Sequence, residues 1–207
     1  MRLFHFSEEP DIEVFEPRLM TARPEITAPL VWGIDEAHQA MYLFPRDCPR
    51  ILFWPLPTTT PEDLDRYWGT RGSGDAPVSA VACIARDWLE RMHTTPLYRY
   101  HLPPDTFEDL HDAGMWVSRE TVRPSLAEPV GDLIEALRDD GVELRLMHRL
   151  TPLRGIWDTS LHASGIRLRN AQDWDAADSG PSLRLREVME RSEPAQSPGP
   201  PPSIGRP

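Results

Sequence analysis

The apolar pattern of this sequence ends well before the chain does. Short apolar runs recur between turn residues over most of its length, but from about Ala171 the periodicity fades, and the closing stretch SEPAQSPGPPPSIGRP offers almost nothing to bury. Such a segment cannot offset the entropy of ordering its own backbone. A fold must therefore be assembled from residues 1–171, one domain's worth of chain, and residues 172–207 are expected to form a Pro-rich, largely disordered tail. Within that tail, Leu183 to Met189 has amphipathic spacing but is marginal as a helix. Over the whole chain, 40% hydrophobic and 27% charged residues are ordinary for a globular protein.

The runs alternate without a simple order. Leu3 to Phe6 reads as a strand ended by Ser7 and the Glu8-Glu9-Pro10 turn. Pro17, Pro24 and Pro29 punctuate an irregular stretch before an apolar strand, Leu30 to Ile34, after which Asp35 can cap a helix through about Tyr42. Ile51 to Trp54 is a further apolar run. Thr60-Pro61-Glu62-Asp63 combines a capping threonine, a first-turn proline and acids, predicting a helix to about Gly69. Val78 to Met92 carries a helical stripe of Val81, Ile84, Trp88, Leu89 and Met92, although its first half also suits a strand. Leu97 to Leu102 alternates as a strand, Asp105 to His111 reads as a helical turn, and Met115 to Val122 as a strand. Val130, Leu133, Ile134 and Leu137 have helix spacing, closed by Gly141 before a strand over Val142 to Met147. This order predicts one α+β domain, a small central sheet flanked by helices.

Charge and composition exclude several function classes. A formal charge of −11 argues against general nucleic-acid binding, since phosphate neutralisation needs a basic face. There is no lysine, so all 22 basic residues are arginines. Lysine Schiff-base chemistry and a P-loop lysine are excluded, while bidentate recognition of carboxylate or phosphate is well supplied. Cys48 and Cys83 form no CxxC motif and read as free thiols in a reducing compartment. Acidic residues stand in the N-terminal stretch where a signal peptide would be apolar, and no window approaches a membrane span, so no membrane partner and a cytoplasmic location are expected. The seven histidines show no HxH, HxxxH or HExxH spacing, and no metal is expected.

A few residues could carry chemistry. His5, between aromatics and two residues before Ser7, reads either as a ligand-binding histidine or as a satisfied core side chain. The proline-framed loop Phe44-Pro45-Arg46-Asp47-Cys48-Pro49-Arg50 offers Arg46 and Arg50 as an anion site, or as parts of a salt-bridged turn. Cys48 lacks a neighbouring base and is a weak nucleophile candidate. On a strand through residue 120, Trp116, Ser118 and Glu120 would share one face. Arg167 and Arg169 alternate and could line an anion site, or simply be solvated.

Taken together, LFHFSEEPDIEVFEPR, VWGIDEAHQAMYLFPRDCPR, WLERMHTTPLYRYHLP, WVSRETVRP and LRLMHRLTPL resemble a family of uncharacterised bacterial proteins classed as a domain of unknown function, over residues 1 to about 171. More distantly, the aromatic-His-x-Ser opening, the loop ending in FEP and the later WVS strand are similar to ADP-ribosyltransferase-like proteins and the related RNA 2'-phosphotransferases. That likeness implies NAD as cofactor, with His5 holding the nicotinamide ribose, Trp32 or Tyr42 stacking, Arg46 on the pyrophosphate and Glu120 as the acid. Methionine at 115, where such proteins often place the acid, departs from the pattern.

Two functions stay open. In one, an NAD- or nucleotide-binding enzyme-like domain gathers His5, Arg46 and Glu120 into one cleft, with Ser7, Trp32, Tyr42, Arg50 and Trp116 around a small phosphorylated ligand. In the other, a non-catalytic protein uses the PRDCPR loop and the Arg-rich end to recruit an acidic ligand or protein partner.

Overall fold

The computed structural model describes residues 1–19, 27–69 and 77–174. From residue 175 onward the expected tail, with its Leu183 to Met189 segment, lies outside the described residues. The strands, in chain order, are β1 (Leu3–Ser7), β2 (Val31–Asp35), β3 (Arg50–Trp54), β4 (Ala80–Ala85), β5 (Tyr98–Leu102), β6 (Phe107–Asp109), β7 (Met115–Ser118), β8 (Leu126–Pro129), β9 (Val142–Met147) and β10 (His162–Ile166). Short helices accompany them: α1 (Pro61–Asp63), α2 (Leu89–Thr94) and α3 (Leu133–Asp139), with 3₁₀ segments at Glu36–Tyr42 and Thr151–Asp158. No helix of the described residues is long and apolar enough to cross a membrane.

The fold is mixed α+β, as the sequence indicates, with its strands divided between two sheets. One has the order β6-β7-β2-β1-β5-β8, and its neighbours pair antiparallel. The other has the order β10-β3-β4-β9, in which β4 and β9 run parallel. The main core joins them, since Phe4 and Ile34 of the first sheet share it with Leu52, Ala82 and Ile84 of the second, with Met41, Met92 and Leu137 from the helical segments. Side chains this deeply buried contribute ~1.5–3 kcal/mol each. On the other face of the second sheet, Ile51, Phe53, Val81 and Cys83 pack against Tyr67, Leu153 and Ile156. On the other face of the first, Leu3, Val31 and Leu102 pack against Phe107 and Val122.

Local signals survive where a side chain closes its own turn. Asp35 accepts from the backbone N–H of His38 and opens the 3₁₀ helix, Thr60 caps α1 by accepting from Asp63, and Asp132 caps α3 by accepting from Ile134 and Glu135. Three expectations are corrected. The helix over Val78 to Met92 splits into β4 and then α2, because Val81, Ala82, Cys83 and Ile84 are buried on both faces between β3 and β9. The helical turn over Asp105 to His111 is helical at Pro104–Thr106, and Phe107–Asp109 pairs with β7 instead. The strand over Met115 to Val122 ends at Ser118, whose hydroxyl bonds the Glu120 N–H and turns the chain; Val122 forms an isolated bridge with Phe15.

Candidate functional site

β1 places alternate side chains on opposite faces, so Phe4 and Phe6 pack into the main core while Leu3, His5 and Ser7 look the other way. On that side the Phe15 ring lies 4.6 Å from the His5 ring. His5 Nδ1 sits 2.9 Å from the Trp32 carbonyl oxygen. A carbonyl can only accept, so Nδ1 carries the proton and the neutral ring presents Nε2 as an acceptor. Burial holds the His5 pKa below its ordinary value, against the Trp32 hydrogen bond that raises it, and the charge of Arg46 lowers it further. The ring is therefore neutral at neutral pH. Nε2 has no partner among the described residues and is not sealed from solvent.

The Arg46 charge that reaches His5 comes from the PRDCPR loop. That loop is fixed at several points: Arg46 N donates to Glu8 Oε1 (2.8 Å), Cys48 N to the Pro45 carbonyl (2.9 Å), and Asn170 Nδ2 to the Asp47 carbonyl (2.9 Å). Its anchor is Arg50, 3% exposed, which donates from Nε to the Met41 carbonyl (2.8 Å) and from Nη1 to the Cys48 carbonyl (3.0 Å). The guanidinium lies 5.0 Å from the Phe44 ring centroid and 5.7 Å from that of Tyr42. No carboxylate pairs with it among the described residues.

Two further arginines arrive from distant sequence. Arg167, in a left-handed conformation (φ 57°), donates from Nε to the Arg46 carbonyl (3.3 Å) and lies close enough to Arg50 to lower its pKa. Arg91 rests over the Trp88 ring at 4.6 Å, and its Nη2 is 4.0 Å from Glu8 Oε1. Arg46, Arg50, Arg91 and Arg167 thus gather around one loop, with Arg91 reaching Glu8, and give a positive patch on a chain of formal charge −11. Cys48, in the middle of it, is no nucleophile: burial pushes its thiol up to about 12, and Cys83 is likewise at about 12. Both cysteines are free.

Of the residues singled out in the sequence, His5 and Ser7 lie on β1 and Arg46 is tied to the end of that strand through Glu8, while Arg50 and Tyr42 meet each other at the buried base of the loop. Ser7 Oγ accepts from Glu9 N (3.2 Å) and shapes the turn there. The others do not join them. Trp32 packs on the opposite side of the sheet, against Leu30, Leu110 and Val117. Trp116 packs with Leu3 and Val31, its indole N–H buried without a partner among the described residues. Glu120 is exposed in the turn after β7, and the chain comes back toward His5 only at Val122, paired with Phe15. Arg91 and Glu8 had no signal in the sequence, since neither spacing nor motif ties them to the loop.

A second group of polar side chains lies at the other end of the 3₁₀ helix. There a cavity of about 320 Å³ is lined by Glu36, His38, Trp54, Ser79 and Asp140 above an apolar floor. Asp35 Oδ1, already capping the helix, also bonds His38 Nδ1 at 2.7 Å. Among the described residues, no group of three or more His, Cys, Asp and Glu side chains is placed to hold a metal ion.

Burial raises the Asp140 pKa above its usual 3.8, with the charges of Glu36 and Asp139 adding to it, against a hydrogen bond from Gln39 and the charge of Arg99. The folded state therefore binds a proton more readily than the unfolded one. The cost to stability is full above the raised folded pKa and disappears as pH falls through it toward 3.8. Asp140→Asn is expected to be more stable than the parent at neutral pH and to lose that advantage in acid, as urea unfolding at the two pH values would show. Equal stability at both would mean the carboxylate is fully solvated.

From Phe4 in β1 to the turn that carries Arg167, the arrangement falls inside a match to a family of unknown function, DUF6886, over residues 4–171. The chain belongs to that family. No curated protein and no solved structure matches the chain. The family boundary at 171 coincides with the place where the apolar periodicity fades, and the family description assigns no activity.

Proposed function

We propose that this member of the family binds a small phosphorylated ligand bearing free hydroxyl groups, of which ADP-ribose and NAD are the test cases, at the end of β1. One observation carries the reading. His5 has its tautomer fixed by the Trp32 carbonyl, so Nε2 accepts from a ligand hydroxyl while Arg46 stands near enough to affect the same ring. A hydroxyl and a phosphate one sugar apart match an acceptor beside a guanidinium. Arg46 is exposed and its side chain is uncommitted among the described residues, whereas Arg50 is spent on holding the loop and contributes field rather than contact.

The resemblance to ADP-ribosyltransferase-like proteins assigns the same role to His5 and the pyrophosphate to Arg46. It also assigns the acid to Glu120, which stands exposed beyond the end of β7. The proposal is therefore one of binding, and transfer chemistry forms no part of it.

Thermal unfolding against NAD, ADP-ribose, AMP and inorganic phosphate tests it. A ligand at a hundred times its dissociation constant stabilises the folded state by about 2.7 kcal/mol. We expect a saturable rise with ADP-ribose, a smaller one with phosphate, and loss of both in Arg46→Ala. A flat response to all four at millimolar concentration would overturn the proposal.

A further inference from the structure

The cavity at the start of the 3₁₀ helix Glu36–Tyr42 is the second place where the fold assembles polar groups over apolar surface. Met41, Leu52 and Val142 supply the floor, and Trp54, stacked on His162 at 4.0 Å, supplies a wall. Its volume of about 320 Å³ suits a ligand of around ten heavy atoms. Apart from His38, the ionisable groups on its lining are the acids Glu36 and Asp140.

The two acids are not equivalent. Glu36 is engaged at the surface by Arg2, in an ion pair both of whose members are well exposed. Asp140 has an amide partner only, Gln39 Nε2 at 3.2 Å from Oδ1. The basic group nearest in that chain of contacts is already neutralised: Arg99 gives Nη1 to Gln39 Oε1 (3.0 Å) but Nε and Nη2 to Glu128 Oε1 (2.8 and 2.6 Å), which also bonds His101. Asp140 therefore faces the cavity as a half-buried carboxylate without a cation, and its Oδ2 has no partner among the described residues.

We propose that this cavity binds a small organic cation, its ammonium group on Asp140 and its apolar body against Met41, Leu52 and Trp54. Charge complementarity selects the ammonium, because a half-buried carboxylate lacking a counter-ion among the described residues gains from one. The indole adds attraction for the same charge. Asp35 holds the His38 ring in the cavity's lining through its Nδ1. The site is separate from the arginine patch, and its fate does not depend on that one.

The test titrates the whole chain with 2-phenylethylammonium and, in parallel, with its neutral counterpart 2-phenylethanol, by calorimetry or NMR. The ammonium compound should saturate, and the alcohol should bind about tenfold more weakly or worse. Asp140→Asn should bring the ammonium affinity down to that of the alcohol, and enlarging Ala80, which also lines the cavity, in Ala80→Leu should abolish both. Thermal unfolding of each variant confirms that it is folded. Equal affinity of the wild-type chain for the two compounds, an ammonium affinity untouched by Asp140→Asn, or no saturable binding of the ammonium compound overturns the proposal.

Discussion

Replacing Arg50 with alanine is expected to cost the fold about 3–4 kcal/mol. The guanidinium is the shared donor for the Met41 and Cys48 carbonyls inside the protein. Without it, two buried carbonyls lose their partner, at ~1–3 kcal/mol each. The volume left by a long side chain costs a further ~2–5 kcal/mol. Relief works in the other direction. Burial holds the Arg50 pKa down at about 10, below the ordinary arginine value, so the charged group is carried into the fold at a penalty of roughly 3 kcal/mol at neutral pH. That penalty is full below about 10 and is removed as pH rises from there toward the ordinary arginine value. The losses exceed the relief. Arg50→Met refills the space and discards the charge, so it should lose only about 1–2 kcal/mol. Urea unfolding distinguishes these outcomes, and a loss in Arg50→Ala below about 1 kcal/mol would mean that the arginine does not anchor the loop.

Gly114→Ala is the second large effect, expected at about 2–4 kcal/mol. Gly114 has φ +70°, a conformation that L residues rarely adopt, and a Cβ there would overlap the Asp35 carboxylate and His38 Nδ1. The strand end is also fixed at this point, because Asp35 N donates to the Gly114 carbonyl at 2.9 Å. Asp35 must then give up either its cap on the 3₁₀ helix or its bond to the His38 ring. Asp35→Ala loses the cap without backbone strain and should cost about 1 kcal/mol, so the glycine variant is expected to be the worse of the two. Thermal unfolding of both, read with the NMR signal of the His38 Nδ1 proton, checks the order. A neutral Gly114→Ala would contradict the close approach.

How much of this was legible depends on how local the deciding contact is. The caps at Asp35 and Thr60 close within three residues, and the sequence shows both. The segment Val78 to Met92 carries a helical stripe, but its first half is claimed by pairing with Val142–Met147 some sixty residues on, and non-local pairing overrides a local period. The strands Leu126–Pro129 and His162–Ile166 lie at sheet edges and lack both alternation and an apolar run, so nothing in SLAEP or HASGI announces them.

The same division runs through the two sites. Arg46 and Arg50 stand within one proline-framed loop and His5 within an aromatic strand, which made them visible. Arg91 and Arg167 reach the loop from more than forty and about 120 residues away, through contacts that a linear pattern does not encode. Asp140, Gln39 and Arg99 form their chain across three separate elements, and singly each looks like an ordinary surface residue. A period of two puts Glu120 on a strand face, but the Ser118 hydroxyl ends that strand two residues earlier.

The ring nitrogens of His5, followed by ¹⁵N NMR during titration with ADP-ribose, test the proposed ligand site most directly. A ligand hydroxyl donating to Nε2 must move that resonance away from its free-acceptor position while Nδ1 stays protonated on the Trp32 carbonyl. Both nitrogens unmoved at saturating ADP-ribose would contradict the site, whatever else the protein binds.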